Sequence, residues 1–294
     1  MPLVSVIIPI YNRIDYIHEA INSVLEQTYK DYEIIVVNDG SSVDVQEALE
    51  PYKDKIVYLY HQENRGISAA RNTGIKGSKG KYIALLDEDD LFEHQKLEIQ
   101  VPILENNPEV GFVYSDFYTF YTEQSEKTLC FAVGRNNPEK FAQTFFLNCS
   151  VAPPSTLIRR TCIENVGFFD DVSPHDDGDL LLRIALRWSV KFSDYPCARV
   201  RYHDNQTSLN RIEMYKAVIK SWEKILSTNP EFKNSLGVEA SNKLSELYFK
   251  LGMAYVNKNM MKNSIAPFKS SRRLSKKYVN IRSIFTILRN RFWA

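Results

Sequence analysis

Apolar and polar positions alternate in blocks along the first ninety or so residues, and the blocks predict strand and helix in turn. Val4 to Pro9 is a β-branched run of the right length for a strand buried on both faces. From Ile14 to Gln27 the apolar Ile17, Ile21, Val24 and Leu25 recur at helical spacing. Glu33 to Val37 predicts a second strand, ended by the polar turn Asn38-Asp39-Gly40-Ser41-Ser42. Val45 to Pro51 predicts a short helix and Ile56 to Tyr60 a third strand. The loop His61 to Gly66 leads into a helix from Ser68, its expected cap, to Lys76. Lys81 to Leu86 is a fourth buried strand. Strands alternating with helices at this spacing imply an α/β fold built on a doubly wound, mostly parallel sheet.

The fourth strand runs straight into four consecutive acids, Asp87, Glu88, Asp89 and Asp90. They fall at a carboxyl strand end, where open α/β sheets bind their ligands. Packed carboxylates repel one another, and a hard cation such as Mg²⁺ or Mn²⁺ relieves this while bridging to a substrate's phosphates. The competing reading is a solvated acidic turn, with Asp90 capping a helix that begins at Leu91. The loop after the first strand and the loop carrying Asp39 converge on the same sheet edge, so nucleotide binding is the expectation for this topology. No G-x-G-x-x-G follows the first strand and no G-x-x-x-x-G-K-[ST] occurs anywhere. Dinucleotide dehydrogenases and P-loop enzymes are disfavoured on that ground.

Further along, Val110 to Phe117 predicts another strand, ending at Asp116. The aromatics Phe117, Tyr118, Phe120 and Tyr121 read as core, with a sugar-stacking platform as the alternative. Pro153-Pro154 punctuates before a short strand, Thr156 to Ile158. Beyond about residue 211 the pattern turns helical. Met214 to Leu226 is amphipathic, and Leu244 to Ala266 looks like one tetratricopeptide-type hairpin, which cannot bury its own faces alone. Ile281 to Trp293 combines apolar and basic residues on a potentially amphipathic helix.

Charge sharpens this division. Residues 1–211 hold 21 Lys and Arg against 31 Asp and Glu, a net of −10, and residues 212–294 hold 16 against 5, a net of +11. From Asn257 onward there are ten basic residues and no acid, a composition suited to an anionic membrane surface. Nucleic acid is disfavoured, because no recognisable binding motif accompanies the basic residues. The four scattered cysteines fit a reducing compartment. With no stretch long enough to span a bilayer and no basic leader at the N-terminus, a cytoplasmic protein, peripheral on the inner membrane face, is the expectation.

Five motifs then stand in order: Val4-Ser-Val-Ile-Ile-Pro-Ile-Tyr-Asn-Arg13, Val37-Asn-Asp-Gly-Ser41, Asn64-Arg-Gly66, Ala70-Arg-Asn-Thr-Gly74, and Gly80 through Asp90. Together they resemble family 2 glycosyltransferases of GT-A fold, over roughly residues 1–210. The resemblance implies a nucleotide-sugar donor, expected to be a UDP-sugar, an Mn²⁺ or Mg²⁺ ion, and inversion at the anomeric carbon. It also implies a glycan or lipid-linked acceptor. By position in these motifs Pro9, Tyr11, Arg13, Asp39, Asn64, Gly66, Arg71, Asp87 and Glu88 border the donor. Asp89 and Asp87 match the D-x-D metal motif, and Asn38 departs from the commoner Asp. The segment His175-Asp-Asp-Gly-Asp-Leu-Leu-Leu-Arg183 resembles the acidic pair before a D-L-x-x-R helix. It implies Asp177 as general base, with Asp176 the rival, and Asp179 with Arg183 fixing the helix. Gly178 stands where the family often has Trp. Arg199 to Ser208 resembles a late family region, which implies His203 in the metal shell. The expected organisation is a catalytic domain at 1–211, a helical region at 212–278 and a basic tail at 279–294. Two other functions compete with this one: a nucleotidyltransferase, which would need glycine in the Ile10–Arg13 loop, and a catalytically inactive helical-tail adaptor, which would not need intact acidic sets.

Overall fold

The computed structural model describes residues 1–122, 125–170, 177–204, 209–275 and 277, and the chain divides into two compact units, Met1–Gln206 and Thr207–Ala294. The first unit opens with β1 (Val4–Ile10), α1 (Ile17–Leu25), β2 (Tyr32–Asn38), α2 (Val45–Leu49), β3 (Val57–Tyr60), α3 (Ile67–Gly77) and β4 (Tyr82–Leu85). It continues through β5 (Leu91–Phe92), α4 (Lys96–Glu105), β6 (Val110–Ser115), β7 (Phe117–Phe120), β8 (Thr128–Cys130) and α5 (Phe141–Asn148). Then come β9 (Leu157–Arg159), α6 (Arg160–Val166), α7 (Asp177–Ala185), β10 (Ser189–Ser193) and β11 (Ala198–Arg201).

Among the described residues seven strands form one sheet in the order β10-β6-β9-β4-β1-β2-β3, with β9 alone antiparallel to its neighbours. The fold is therefore the expected mostly parallel α/β type. All seven residues of β1 are buried, because strands pair on both its sides and helices cover both its faces. Alternate positions separate those faces: Val6, Ile8 and Ile10 pack with Ile17, Ile21 and Val24 of α1 and with Leu97 and Val101 of α4. Ile7 points the other way, against Gly74 of α3, where an added Cβ would come within 2.5 Å of the isoleucine. Pro9 is tolerated in this central strand because pairing with β4 ends at Ile7.

Two local expectations give way. Ser68 does not cap α3, whose N-cap is Gly66. No helix begins at Leu91: Leu91 and Phe92 form β5, which pairs antiparallel with Arg199 and Ala198. Two-residue strands carry no periodicity, and only a partner more than a hundred residues away makes this segment extended. β5 belongs to a second sheet, β5-β11-β7-β8, which the sequence pattern did not disclose. The strand expected over Val110–Phe117 breaks at Asp116, where the chain crosses from one sheet to the other. Of the aromatics that follow, Phe120 is core and Tyr121 is exposed.

The second unit comprises α8 (Arg211–Thr228), α9 (Pro230–Leu236), α10 (Val238–Asn257) and α11 (Met261–Leu274). The helical hairpin expected at 244–266 corresponds to α10 and α11, which run beyond both of its ends. They are joined by buried serines: Ser245 Oγ donates to the Ser271 carbonyl at 2.8 Å, and Ser271 Oγ to the Ser245 carbonyl at 2.6 Å. Lys262, Lys269, Arg272 and Arg273 lie exposed on α11. The tail 279–294 lies outside the described residues. No helix among the described residues is long and apolar enough to cross a membrane.

Candidate active site

The polar loops after β1, β2, β3 and β4 meet at the carboxyl edge of the sheet. The first is built on Asn12, whose φ of 56° is a left-handed value that asparagine tolerates better than most residues. Its N–H donates to Ser41 Oγ at 2.9 Å, and its Oδ1 accepts from the Ser42 N–H at 2.6 Å. The loop after β1 is thereby tied to the loop after β2, and the next residue, Arg13, is aimed at the acids. Tyr11 beside it is half exposed, as a side chain bordering a ligand would be.

At the end of β4, Arg13 Nη1 lies 2.9 Å from Asp89 Oδ2 and 3.5 Å from Glu88 Oε1. His203 Nε2 lies 2.9 Å from the same Asp89 oxygen. Arg71, buried on α3, donates through Nη2 to Asp87 Oδ1 at 2.7 Å. Burial first, and then the neighbouring Asp89 and Asp87, push the Glu88 carboxyl up to about 8. The same causes hold Asp90 well above the usual carboxylate range. Asp90 accepts the Arg201 N–H at 2.9 Å rather than capping a helix. A cavity of about 580 Å³ adjoins the acids, lined by Tyr11, Arg13, Tyr16 and His203 among others.

Asp89, Asp87 and His203 are the expected residues for holding a divalent ion. No group of three or more His, Cys, Asp or Glu able to hold a metal occurs among the described residues. Mg²⁺-type sites, however, use one or two carboxylates and complete their shell with water and substrate phosphate. In this structure the Asp89 oxygen is hydrogen-bonded to His203 Nε2 and paired with Arg13, both at 2.9 Å.

Asp39 is buried, and its carboxylate has structural partners. Oδ1 accepts from the Arg65 N–H at 3.0 Å and lies 2.6 Å from His61 Nδ1, and Oδ2 accepts from the Gly66 N–H at 2.8 Å. It thus holds the Asn64-Arg65-Gly66 loop, with Asn64 exposed. The close approach depends on Gly40, where a Cβ would fall 2.3 Å from the Glu63 backbone. Of the expected acceptor-side acids, Asp176 lies outside the described residues, and Asp177 is placed only as the first residue of α7. Asp179 and Arg183 pair as expected, Arg183 Nε donating at 2.5 Å.

Three residues without an assigned role prove central: Asn12, His61 and Arg201. His61 bridges Asp39 to Thr73, 2.8 Å from Nε2. Arg201 is buried, donates through Nε to the Asp89 carbonyl at 3.0 Å and through Nη2 to Glu19 at 2.6 Å, and stacks on Tyr16 and Phe120. A polar residue placed directly at a strand's carboxyl end was the available signal for His61. Arg201 carries no such signal, because its partners lie on other loops.

The fold defines an α/β protein with a polar, acid-rich candidate ligand site at the carboxyl ends of its parallel strands, and the comparisons with known proteins place it in a family. The glycosyl transferase family 2 model matches residues 5–167; the chain belongs to that family. An uncharacterised glycosyltransferase of Rickettsia typhi is 38% identical over 236 residues, covering 77% of this chain and 73% of its own. An uncharacterised glycosyltransferase of Rickettsia bellii is 37% identical over 213 residues, 70% of this chain, and there the chain spans only 30% of the relative's length. WfaP of Escherichia coli, a UDP-Glc:α-D-GlcNAc-diphosphoundecaprenol β-1,3-glucosyltransferase, is 33% identical over 169 residues, 57% of this chain and 65% of its own. Among solved structures, the mannosyltransferase PcManGT of Pyrobaculum calidifontis with GDP-Man and Mn²⁺ has a TM-score of 0.65 at 20% identity, covering 97% of this chain and 84% of its own. S. aureus TarS with UDP-GlcNAc scores 0.63 at 16%, covering 93% and 92%. At those identities the structural likeness bears on the fold alone, which is of GT-A type.

Proposed function

We propose that this chain is an inverting, metal-dependent glycosyltransferase that moves a sugar from a UDP-sugar to a hydroxyl of a lipid-linked or glycan acceptor. The observation that carries the reading is the meeting of Asp89, His203 and Arg13 beside the Arg71–Asp87 pair at one sheet edge. Asp89 and His203, with Asp87 beside them, would hold Mn²⁺ or Mg²⁺, which when bound neutralises charge on the departing nucleoside diphosphate. Arg13 and Arg71 supply fixed positive charge to the phosphates in a partly desolvated cleft, where such groups are worth more than in water. Tyr11 and Pro9 border the nucleoside, and Asp39 shapes its pocket by holding the Asn64–Gly66 loop. Asp177 takes the proton of the acceptor hydroxyl as that oxygen attacks the anomeric carbon from the face opposite the leaving group.

The lipid-linked acceptor is favoured by the likeness to WfaP and by the exposed basic face of α11. That face, together with the basic residues that follow it in the sequence, suits reversible contact with an anionic leaflet, basic groups near such a surface contributing about 1 kcal/mol each. The α10–α11 hairpin is read as tetratricopeptide-like. The reading is tested by calorimetric titration of UDP, GDP and their sugars with and without Mn²⁺. UDP should bind more tightly with the ion, and the isosteric Asp89→Asn should lose that dependence by about tenfold or more. Mn²⁺-independent binding, unchanged by Asp89→Asn, would remove Asp89 from the mechanism.

A further inference from the structure

The turn at residues 166–169 is gripped from two directions. From the donor side, Asn72 of α3 makes a reciprocal pair with the main chain of Phe169: its Nδ2 donates to the Phe169 carbonyl at 2.9 Å, and its Oδ1 accepts the Phe169 N–H at 2.9 Å. Both groups are buried and stand 97 positions apart in the chain. Two neighbours on the same helix add to the grip. The Arg71 guanidinium lies 5.5 Å from the Phe169 ring centre, and the Lys76 ammonium 4.9 Å from that of Phe168.

From the other side, Arg183 of α7 donates to the carbonyls of Val166, Gly167 and Phe168 at 2.8, 2.7 and 2.9 Å. Asp179 fixes its guanidinium from one turn back on that helix. The carbonyls converge on a single guanidinium because Gly167 adopts a φ of 82°, a left-handed value that disfavours any side chain. Arg71 meanwhile reaches Asp87, so one helix contacts both the acids of the donor site and the turn that carries α7.

We propose that Asn72 is a positioning residue that couples occupancy of the nucleotide site to the placement of α7, the helix opening on Asp177. The inference rests on the nucleotide reading of the site and goes beyond it. A primary carboxamide is the side chain that offers a donor and an acceptor side by side to one residue's N–H and C=O, so the pair fixes Phe169 in both register and orientation. A ligand that steadies Arg71 and Asp87 steadies α3. Through Asn72 the turn is steadied with it, and through Arg183 the last turn of α7, which Arg183 ties back to Asp179 near that helix's start. The chain of contacts is contiguous and of defined geometry, buried at Asn72–Phe169 and partly exposed at Arg183.

Hydrogen exchange on the full chain with UDP and Mn²⁺, with GDP as a parallel arm, tests it. In the wild-type protein saturating nucleotide should slow exchange in peptides spanning 160–170 and 178–186 by about tenfold. Asn72→Leu should bind the nucleotide within about threefold of wild type, yet lose the slowing in both peptides. Arg183→Gln, which cuts the other end, should keep the slowing at 160–170 and lose it at 178–186. It also serves should Asn72→Leu not fold. Slowing at 178–186 that survives in the variants at saturation, or its absence in a wild-type protein that binds nucleotide, overturns the proposal. A wild-type protein that binds neither nucleotide overturns the nucleotide reading itself, and this proposal with it.

Discussion

Nη2 of Arg71 stands 2.7 Å from Oδ1 of Asp87, a contact between a guanidinium buried in α3 and a carboxylate a quarter exposed at the end of β4. An arginine buried this deeply costs free energy unless it is paired. The acid in turn is held in one orientation toward the cleft. The relationship joins α3 to the acids that follow β4.

Arg71→Gln should therefore act on both stability and binding. Loss of a buried charge partner costs on the order of 3 kcal/mol, and UDP affinity should fall about tenfold. Urea unfolding and calorimetry on the same variant check the two effects. Full affinity retained in a destabilised protein would confine Arg71 to a structural task.

Arg201 joins Asp89, Asp90, Glu19, Tyr16 and Phe120. Arg201→Met keeps much of the stacking bulk and loses the charge. Stability should drop by about 2–4 kcal/mol, and Mn²⁺ affinity, read by electron paramagnetic resonance, should weaken because the Asp89 backbone is no longer held. Arg201→Lys should recover only part of either, since an ammonium cannot reach the Asp89 carbonyl and Glu19 as a planar fork does.

Lys96 gives a stability prediction with a defined pH window. It is buried, donating to Gln100 at 2.6 Å and to the Thr156 carbonyl at 2.9 Å, and burial lowers it from 10.5 to about 8. Between those values the unfolded chain holds the proton more tightly than the folded one, so this group makes stability rise with pH from about 8 to 10.5. Lys96→Met should lose that rise, of order 2–3 kcal/mol, when urea midpoints of the two proteins are compared across the window. Parallel curves would show that Lys96 titrates as an ordinary lysine.

The alternating sheet and helix were legible because each buried strand carries its own apolar run. β1 and β4 are apolar on both faces by composition alone, and the four acids after Leu86 announce a strand end where a ligand belongs. The second sheet was not legible, because β5 and β8 are two and three residues long and exist only through their partners. The part played by Asp90 went the same way: the residue it serves, Arg201, is 111 positions distant.

Local chemistry thus determined which residue types line the candidate site: carboxylates after β4, an arginine on α3, and a polar turn after β1. Long-range packing decided how they meet. It brought Arg13 and His203 to one oxygen of Asp89, turned Asp39 inward to hold a loop, and tied α3 to the turn at Phe169 through Asn72. A hydrophobic run needs only its neighbours in the chain to declare itself, whereas a hydrogen bond between distant residues exists only once the fold has closed the distance.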